Sequence, residues 1–455
     1  MQNIILLIAS YVFYAIAAWK MLPLLIVCTI IFYYLGIGIE IKEDEKIKRL
    51  LMICGAVIGV GTLLYFKYLN FFIDEFGHAL ASIGIQNDIH SFGIVMPVGI
   101  SYFTFRLISY VVDIYHGKIN ATRDIVAFAT YVSFFPCILA GPIDRPKFIN
   151  QLQVNRKFDY DLSVDACRQF LWGLFKKIVV ADRCAIYVNQ VWSDYSQQSG
   201  STLVLAMVFY FFQMYADFSG YSDMAIAVGK LLGLRITPNF KAPLFSLNMK
   251  DFWQRWHMSL TSWITDYVFI PLNIKFRNLG NFGMLLAIII NMVVVGLWHG
   301  ANWTYGLFGL YHGLLFIPLI YTGAFSKRTK IKTYSNIDVP VFKDFCRMIL
   351  TLALFIFGMI IFRAETVADS FTYMSQICSR SLFKMPWLIG RGWYIPLLMG
   401  ILAMIIVEWF NRDEDHALKL KRVNSIVLRY IIYIGIIVCC AIYSAEAETY
   451  LYVQF

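Results

Sequence analysis

The chain has 455 residues, 59% of them hydrophobic and only 15% charged, and no water-facing surface can be built from that balance. The formal net charge of +10 does not point to nucleic acid, because the basic residues sit in short loops between apolar runs, where the positive-inside bias places them. Nine cysteines show no CxxC and no metal-ligand spacing; Cys28, Cys54, Cys439 and Cys440 lie in apolar runs, and the set reads as reduced packing residues that imply no metal. What remains is an all-α polytopic membrane protein with about ten to twelve transmembrane helices at ~20 residues per span, plus interfacial and re-entrant helices around a central cavity.

Residues 4–19 and 21–39 read as a hairpin of two spans joined at Lys20. No basic n-region precedes the first, so a cleaved signal peptide is not expected. KEDEKIKR follows from Lys42, and a basic cluster at a span end belongs in the cytosol, which by parity puts Met1 there too. A span over 50–66 leads through Lys67 to a polar piece, 78–90, expected outside. MPVGISYFTFRLISYVVDIYHGK carries Pro97 and Gly99 early and starts or kinks there. Arg106 within it would cost ~2.5 to 3.5 kcal/mol facing lipid at mid-depth, so it must face a cavity or a partner. FFPCILAGPIDRPKF then breaks helix repeatedly. Non-helical backbone at membrane depth is tolerated only against protein or water, which places Gly141, Pro142 and Arg145 at the wall or rim of a cavity. WGLFKKIVVADR is amphipathic, and Lys176 and Lys177 read as side chains snorkelling to headgroups. Asp217 and Asp223 interrupt the apolar run that follows.

The stretch 251–313 gathers three of the seven histidines. At about 100° per residue, Trp253, Trp256, His257, Leu260, Ile264 and Tyr267 share one helix face, with Asp251, Arg255, Ser259, Ser262 and Asp266 on the other, the makeup of an interfacial or cavity-roofing helix. The apolar run 282–298 delivers His299 to a helix end; Gly300 stops that helix, and Asn302 caps the next, which carries His312 about two turns in. An ionisable group at a helix break beside Trp298, in so apolar a chain, is a functional candidate, and burial would keep it neutral and able to accept a proton. His257 could be a polar filler of its helix, and an interhelical hydrogen bond accounts for His312. His78, His90, His116 and His416 read as ordinary residues in or near loops. Residues 272–281 give the chain room to fold back, so that His257 and His299 can converge on one cavity crowded by Trp256, Trp263, Trp298 and Trp303.

Beyond the histidines come a basic loop, SKRTKIK, a span over 348–362, a polar insert to Trp387 and two more spans. No GxxxxGKS/T, GxSxG or HExxH occurs, which removes support for nucleotide hydrolysis, a serine-hydrolase elbow or a zincin site. With no internal repeat, the chain reads as one integral-membrane domain over 1–455, with a core at about 94–322.

RWHMSLTSWITDYVFIPL followed by GLWHGANWTYGLFGLYHG resembles the core signature of the membrane-bound O-acyltransferase family. MPVGISYFTF, FFPCILAGPIDRP, YADFSGYSDMAIAVGKLLG and the terminal YLYVQF resemble its bacterial branch, which includes the alginate O-acetyltransferase membrane subunit and the D-alanine transfer protein of teichoic acid. Those relatives begin with one more apolar segment, so a preceding transmembrane segment is expected to be missing here. The resemblance implies a multi-pass protein of the bacterial cytoplasmic membrane. It would move an acyl group, acetyl by preference, from a cytosolic thioester, acyl-CoA or an acylated carrier protein, toward hydroxyls of an exported polysaccharide or cell-wall polymer. No bound cofactor is implied; membrane lipid and an extracytoplasmic partner acyltransferase are. His299 matches the family's catalytic histidine and His257 its companion; Arg106, Gly141, Pro142, Arg145, Trp256, Trp298 and His312 are cavity candidates. A transporter or lipid flippase would also carry rare buried charges, but it predicts paired broken helices in repeated halves; a non-catalytic scaffold of an export complex is the other alternative.

The topology is testable at Lys46. In a background free of exposed thiols, Lys46→Cys should resist a membrane-impermeant maleimide in intact cells and react after lysis; labelling in intact cells would invert the orientation.

Overall fold

The computed structural model describes residues 1–85, 92–327, 330–333 and 338–444; His90 and the terminal YLYVQF lie outside the described residues. Among those described, the regular secondary structure is helical, joined by turns and loops, apart from a single bridge between Thr333 and Pro340. Among the described residues, eight segments are long and apolar enough to cross a membrane: Gln2–Ile41, Glu45–Ser82, Gly200–Leu231, Arg277–His299, Trp303–Tyr321, Phe342–Arg363, Gly392–Phe410 and Ile426–Tyr443. The number falls below ten to twelve partly because the first segment holds two helices, Gln2–Ala18 and Leu22–Ile41. In addition, Ile100–Tyr115, which the sequence reads as a span, is a 16-residue helix buried along almost its whole length. Two compact units make up the fold, Met1–Tyr160 with Val228–Thr237, and Asp161–Ala227 with Pro238–Phe455.

In the first unit, Asn3 Nδ2 donates to the Leu152 carbonyl (2.6 Å), Glu40 accepts from Ala121 N (3.1 Å), and Gln153 Nε2 donates to Thr122 Oγ1 (3.0 Å). The start of the first helix and the end of the second therefore return to the same end of the unit, as a hairpin. Glu45–Leu63 does not stop near residue 66; it passes through a π turn, Leu64–Tyr68, into Leu69–Ser82. At 1.5 Å per residue its 38 residues reach about 57 Å, so the helix outruns a hydrocarbon core of ~30 Å.

Arg106 is 1% exposed and its partner is backbone. Its guanidinium donates to the carbonyls of Tyr131 (2.8 Å), Val132 (3.3 Å) and Pro142 (3.3 Å). These are acceptors left where the helix Ile125–Ser133 ends and the chain turns through Gly141 and Pro142, so one buried cation satisfies the break that prolines create. Tyr131 closes the cluster, its hydroxyl donating to the Asp144 carbonyl at 3.2 Å. The Asp144 carboxylate accepts from Thr237 N at 2.9 Å, and burial raises its pKa against the opposing pull of Arg106.

The second unit corrects the reading of the paired lysines. Lys176 and Lys177 do not snorkel; they are 3% and 5% exposed, at the start of a π turn, Lys176–Ala181. Lys176 Nζ lies 2.5 Å from Asp223 and 3.9 Å from Glu408, and Lys177 Nζ lies 2.7 Å from Asp182 and 3.0 Å from Asp217. A long amphiphilic side chain looks the same in sequence whether it reaches a headgroup or a buried acid. The acids of the helix Gly200–Leu231 decide the outcome here.

The helices Gly280–His299 and Trp303–Leu314 form a second hairpin whose backbones touch. A Cβ on Gly296 would stand 2.1 Å from the Tyr305 carbonyl oxygen, and one on Gly309 2.3 Å from that of Met292. Small residues let membrane helices approach this closely, and the approach fixes the helix end that carries His299.

Two outcomes follow for stability, both read as thermal unfolding in detergent. Gly309→Ala should cost about 1–3 kcal/mol by overpacking, whereas Gly306→Ala, whose new Cβ would meet only Leu297 Cδ2 at 3.6 Å, should be neutral or stabilising by up to about 1 kcal/mol. Equal effects would deny the close approach. Lys176→Met should cost about 3 kcal/mol or more by leaving buried carboxylates unpaired. Adding Asp223→Asn should restore part of that loss; a further loss of stability in the double variant would contradict the pairing.

Candidate active site

The helix expected to run through His257 is broken there. Met249–Trp253 ends, the chain turns over 254–257, and Met258–Ile264 begins with His257 as its N-cap, in the left-handed region at φ 45°, ψ 50°. That conformation costs a non-glycine residue roughly 1–2 kcal/mol, and outliers of this kind collect at functional sites. The break arises because a second segment clasps the turn. Met258 N donates to the Asn239 carbonyl (2.8 Å) and Lys241 N to the Arg255 carbonyl (3.0 Å). On the first of the short helices, Asn248 caps the start, accepting from Asp251 N (3.0 Å), and Arg255 Nε holds Asp251 (2.8 Å).

Asn239 also grips the histidine itself. His257 Nδ1 lies 3.0 Å from Asn239 Oδ1, the same oxygen accepts from Ser259 Oγ (2.9 Å) and Ser259 N (3.3 Å), and Asn239 Nδ2 donates to Ser222 Oγ (3.2 Å). The His257 ring packs edge-on against Phe218 at 4.6 Å and Trp298 at 5.4 Å between centroids. Burial first, and then the neighbouring His299, hold its pKa well below the usual histidine value, so the imidazole is neutral near pH 7. Ser222 and Asn239 also line a small cavity of about 60 Å³, with Lys176, Asp223 and Glu408 in its wall.

His299 is the last residue of its helix, and Gly300 follows in extended conformation, as the apolar run and the glycine predict. A Cβ on Gly300 would come within 2.3 Å of the Tyr305 ring. Asn302 caps the next helix, accepting from Thr304 N at 3.0 Å. The His299 ring, in a residue 8% exposed, meets Trp298 at 5.0 Å and Phe362 at 5.0 Å, both edge-on. His257 and His299 thus stand on the same indole, that of Trp298, although one caps a short helix and the other ends a long one.

The other residues expected at the site fall into three groups. Trp298 belongs to it. Trp256 sits beside it in an aromatic cluster with Phe211, Tyr215, Phe240, Phe252 and Phe355, while Trp263 packs on Tyr267 and Trp303 is 59% exposed, so that tryptophan does not crowd a cavity. Arg106, Gly141, Pro142 and Arg145 belong to the first unit; Arg106, Gly141 and Pro142 are buried there, and Arg145 is half-buried.

His312 overturns its expectation. It is fully buried, but among the described residues neither ring nitrogen has a hydrogen-bond partner. Rings of Trp253, Phe308, Tyr311 and Phe355 enclose it at 4.5–5.3 Å, and Gly358 leaves space over Nε2, where a Cβ would stand at 2.7 Å. Aromatic edges take the place of the interhelical hydrogen bond. His116 and His416 are ordinary, the first 2.9 Å from the Val112 carbonyl and the second 2.9 Å from Asp165. The sequence reading missed Asn239, and the only local signal was its place in a short loop, TPNFK, a few residues beyond the end of the helix Gly200–Leu231.

Comparison with known proteins bears on what this arrangement does. Residues 121–361 match the model of the membrane-bound O-acyltransferase family. A probable alginate O-acetylase AlgI of Pseudomonas aeruginosa is 35% identical over 415 residues, 90% of this chain and 76% of the relative. A peptidoglycan O-acetyltransferase of Helicobacter pylori is 31% identical, covering 68% of this chain and 62% of the relative. A teichoic acid D-alanyltransferase of Streptococcus thermophilus is 32% identical, covering 53% and 65%. A multi-pass helical protein that matches the family model over more than half its length, and a relative over nine-tenths of it, belongs to the membrane-bound O-acyltransferases.

Proposed function

We propose that this O-acyltransferase moves a small acyl group, acetyl by preference, from a cytosolic thioester across the membrane toward hydroxyls of an exported polysaccharide or cell-wall polymer, with His299 as general base and His257 as its companion. The observation that carries the reading is the placement of both buried imidazoles against Trp298. Similarity to an alginate O-acetylase and a peptidoglycan O-acetyltransferase supports acetyl and a glycan acceptor, and similarity to a D-alanyltransferase keeps D-alanyl as the second acyl group. Acyl-CoA or an acylated carrier protein would serve as donor, in the bacterial cytoplasmic membrane, with a separate extracytoplasmic acyltransferase finishing delivery.

In this mechanism His299 takes the proton of the acceptor hydroxyl as its oxygen attacks the thioester carbonyl carbon. The C–O bond forms, the C–S bond breaks, and the departing thiolate recovers the proton from the imidazolium, so no net proton is produced. Trp298, Phe362 and Phe218 exclude water around the rings, which limits hydrolysis of the thioester.

The test is transfer from radiolabelled acetyl-CoA by protein purified in lipid nanodiscs. The native chain should pass label to an acceptor, and His299→Ala should remain folded while slowing transfer by ~10² or more. Activity within a few-fold of native would move the base assignment to His257.

A further inference from the structure

We infer that Asn239 is a positioning residue that fixes the tautomer of His257 and so makes this histidine a hydrogen-bond acceptor at the acyl-transfer site, not a donor to the thioester carbonyl. The inference rests on the proposed pairing of His257 with His299, and it selects between two roles that the pairing leaves open.

The hydrogens can be placed from donors whose chemistry is fixed. Ser259 N–H can only donate, so the Asn239 atom facing it is the amide oxygen, and the amide nitrogen is the atom that meets Ser222. His257 Nδ1 lies 3.0 Å from that same oxygen. An amide oxygen carries no hydrogen, so the hydrogen between the two atoms sits on Nδ1. Ser259 Oγ–H adds a third donor to the oxygen, and Ser222 anchors the opposite end of the amide.

The arrangement is shielded from water. Asn239, His257 and Ser259 are each 1% exposed and Ser222 is 2% exposed. Main-chain bonding ties the two segments together, Met258 N to the Asn239 carbonyl, and keeps the Asn239 backbone beside the ring, while Ser222 and Ser259 hold its amide at both ends. A neutral imidazole with its hydrogen on Nδ1 carries its lone pair on Nε2. Such a ring accepts from an N–H of His299 or from an acceptor hydroxyl, and it cannot donate to a carbonyl oxygen. A base oriented by a third group through its other nitrogen is a recurrent device in acyl transfer.

Three measurements test this. Nitrogen NMR of histidine-labelled protein, with the His257 signals identified by their loss in His257→Ala, should show hydrogen on Nδ1, and Asn239→Leu should abolish that preference. In the transfer assay, Asn239→Leu should lower kcat by about 10²-fold with the acceptor KM within about twofold, while Asn239→Asp, which retains an oxygen acceptor, should recover to within about tenfold of native. In a His257→Ala background, Asn239→Leu should add less than about a twofold loss, because residues acting through one another are non-additive. Hydrogen on Nε2 in the native protein, or a full additional loss in the His257→Ala background, would overturn the inference. The NMR measurement needs no turnover. If His257→Ala left transfer intact, that result would strike the pairing of the histidines and not the tautomer.

Discussion

The candidate site depends on one clasp, the hydrogen bonding of residues 257–259 to Asn239. Without it, the Met258 and Ser259 amides that follow the four-residue turn 254–257 would be left bare in an apolar interior, a cost of several kcal/mol per group in the absence of water. With it, the Met258 amide, the Ser259 amide and hydroxyl and the His257 ring all find acceptors on a single residue. The left-handed backbone of His257 is held by the same bonds, and it turns the ring toward Trp298.

The same rule governs polar groups elsewhere. Arg106 is matched to carbonyls released by a broken helix, and Lys176 and Lys177 are matched to carboxylates on helices that face them. Partner chemistry differs between the two cases for a physical reason. A guanidinium presents five donors in a plane and can serve several carbonyls at once, whereas an ammonium is a compact charge best answered by anions. His312 is the exception, since its box of aromatic edges offers no conventional acceptor. Its fully buried ring is held by edge contacts with the surrounding aromatic side chains.

Aromatic packing and close helix contact complete the site from opposite directions. Gly296 and Gly309 bring two backbones together and so set the height of His299, while Trp298 and Phe362 fill the space around its ring. Edge-on contacts recur around both histidines, in keeping with the preference of aromatic rings for tilted over face-to-face packing. Burial of this kind strengthens each electrostatic interaction around the two rings.

Much of the outline was legible in the residues alone. Apolar runs announced the membrane, and Gly300 and Asn302 announced the end of one helix and the start of the next, because span length and capping are local properties of a few consecutive side chains. His299 stood out for the same reason, as an ionisable group at a helix break. The resemblance of 255–313 to a known family pointed to acyl transfer, and the comparisons bear that out. Tertiary structure alone decided the rest. Periodicity carried an unbroken helix through His257, and only the clasp from Asn239, 18 positions earlier in the chain, breaks it. Lys176 and Lys177 could reach headgroups or acids with equal ease, and the acids that claim them lie up to 232 positions away, at Glu408. Capping and hydropathy depend on neighbours in sequence, whereas the partner of a buried polar group depends on which distant segment the fold brings within about 3 Å of it.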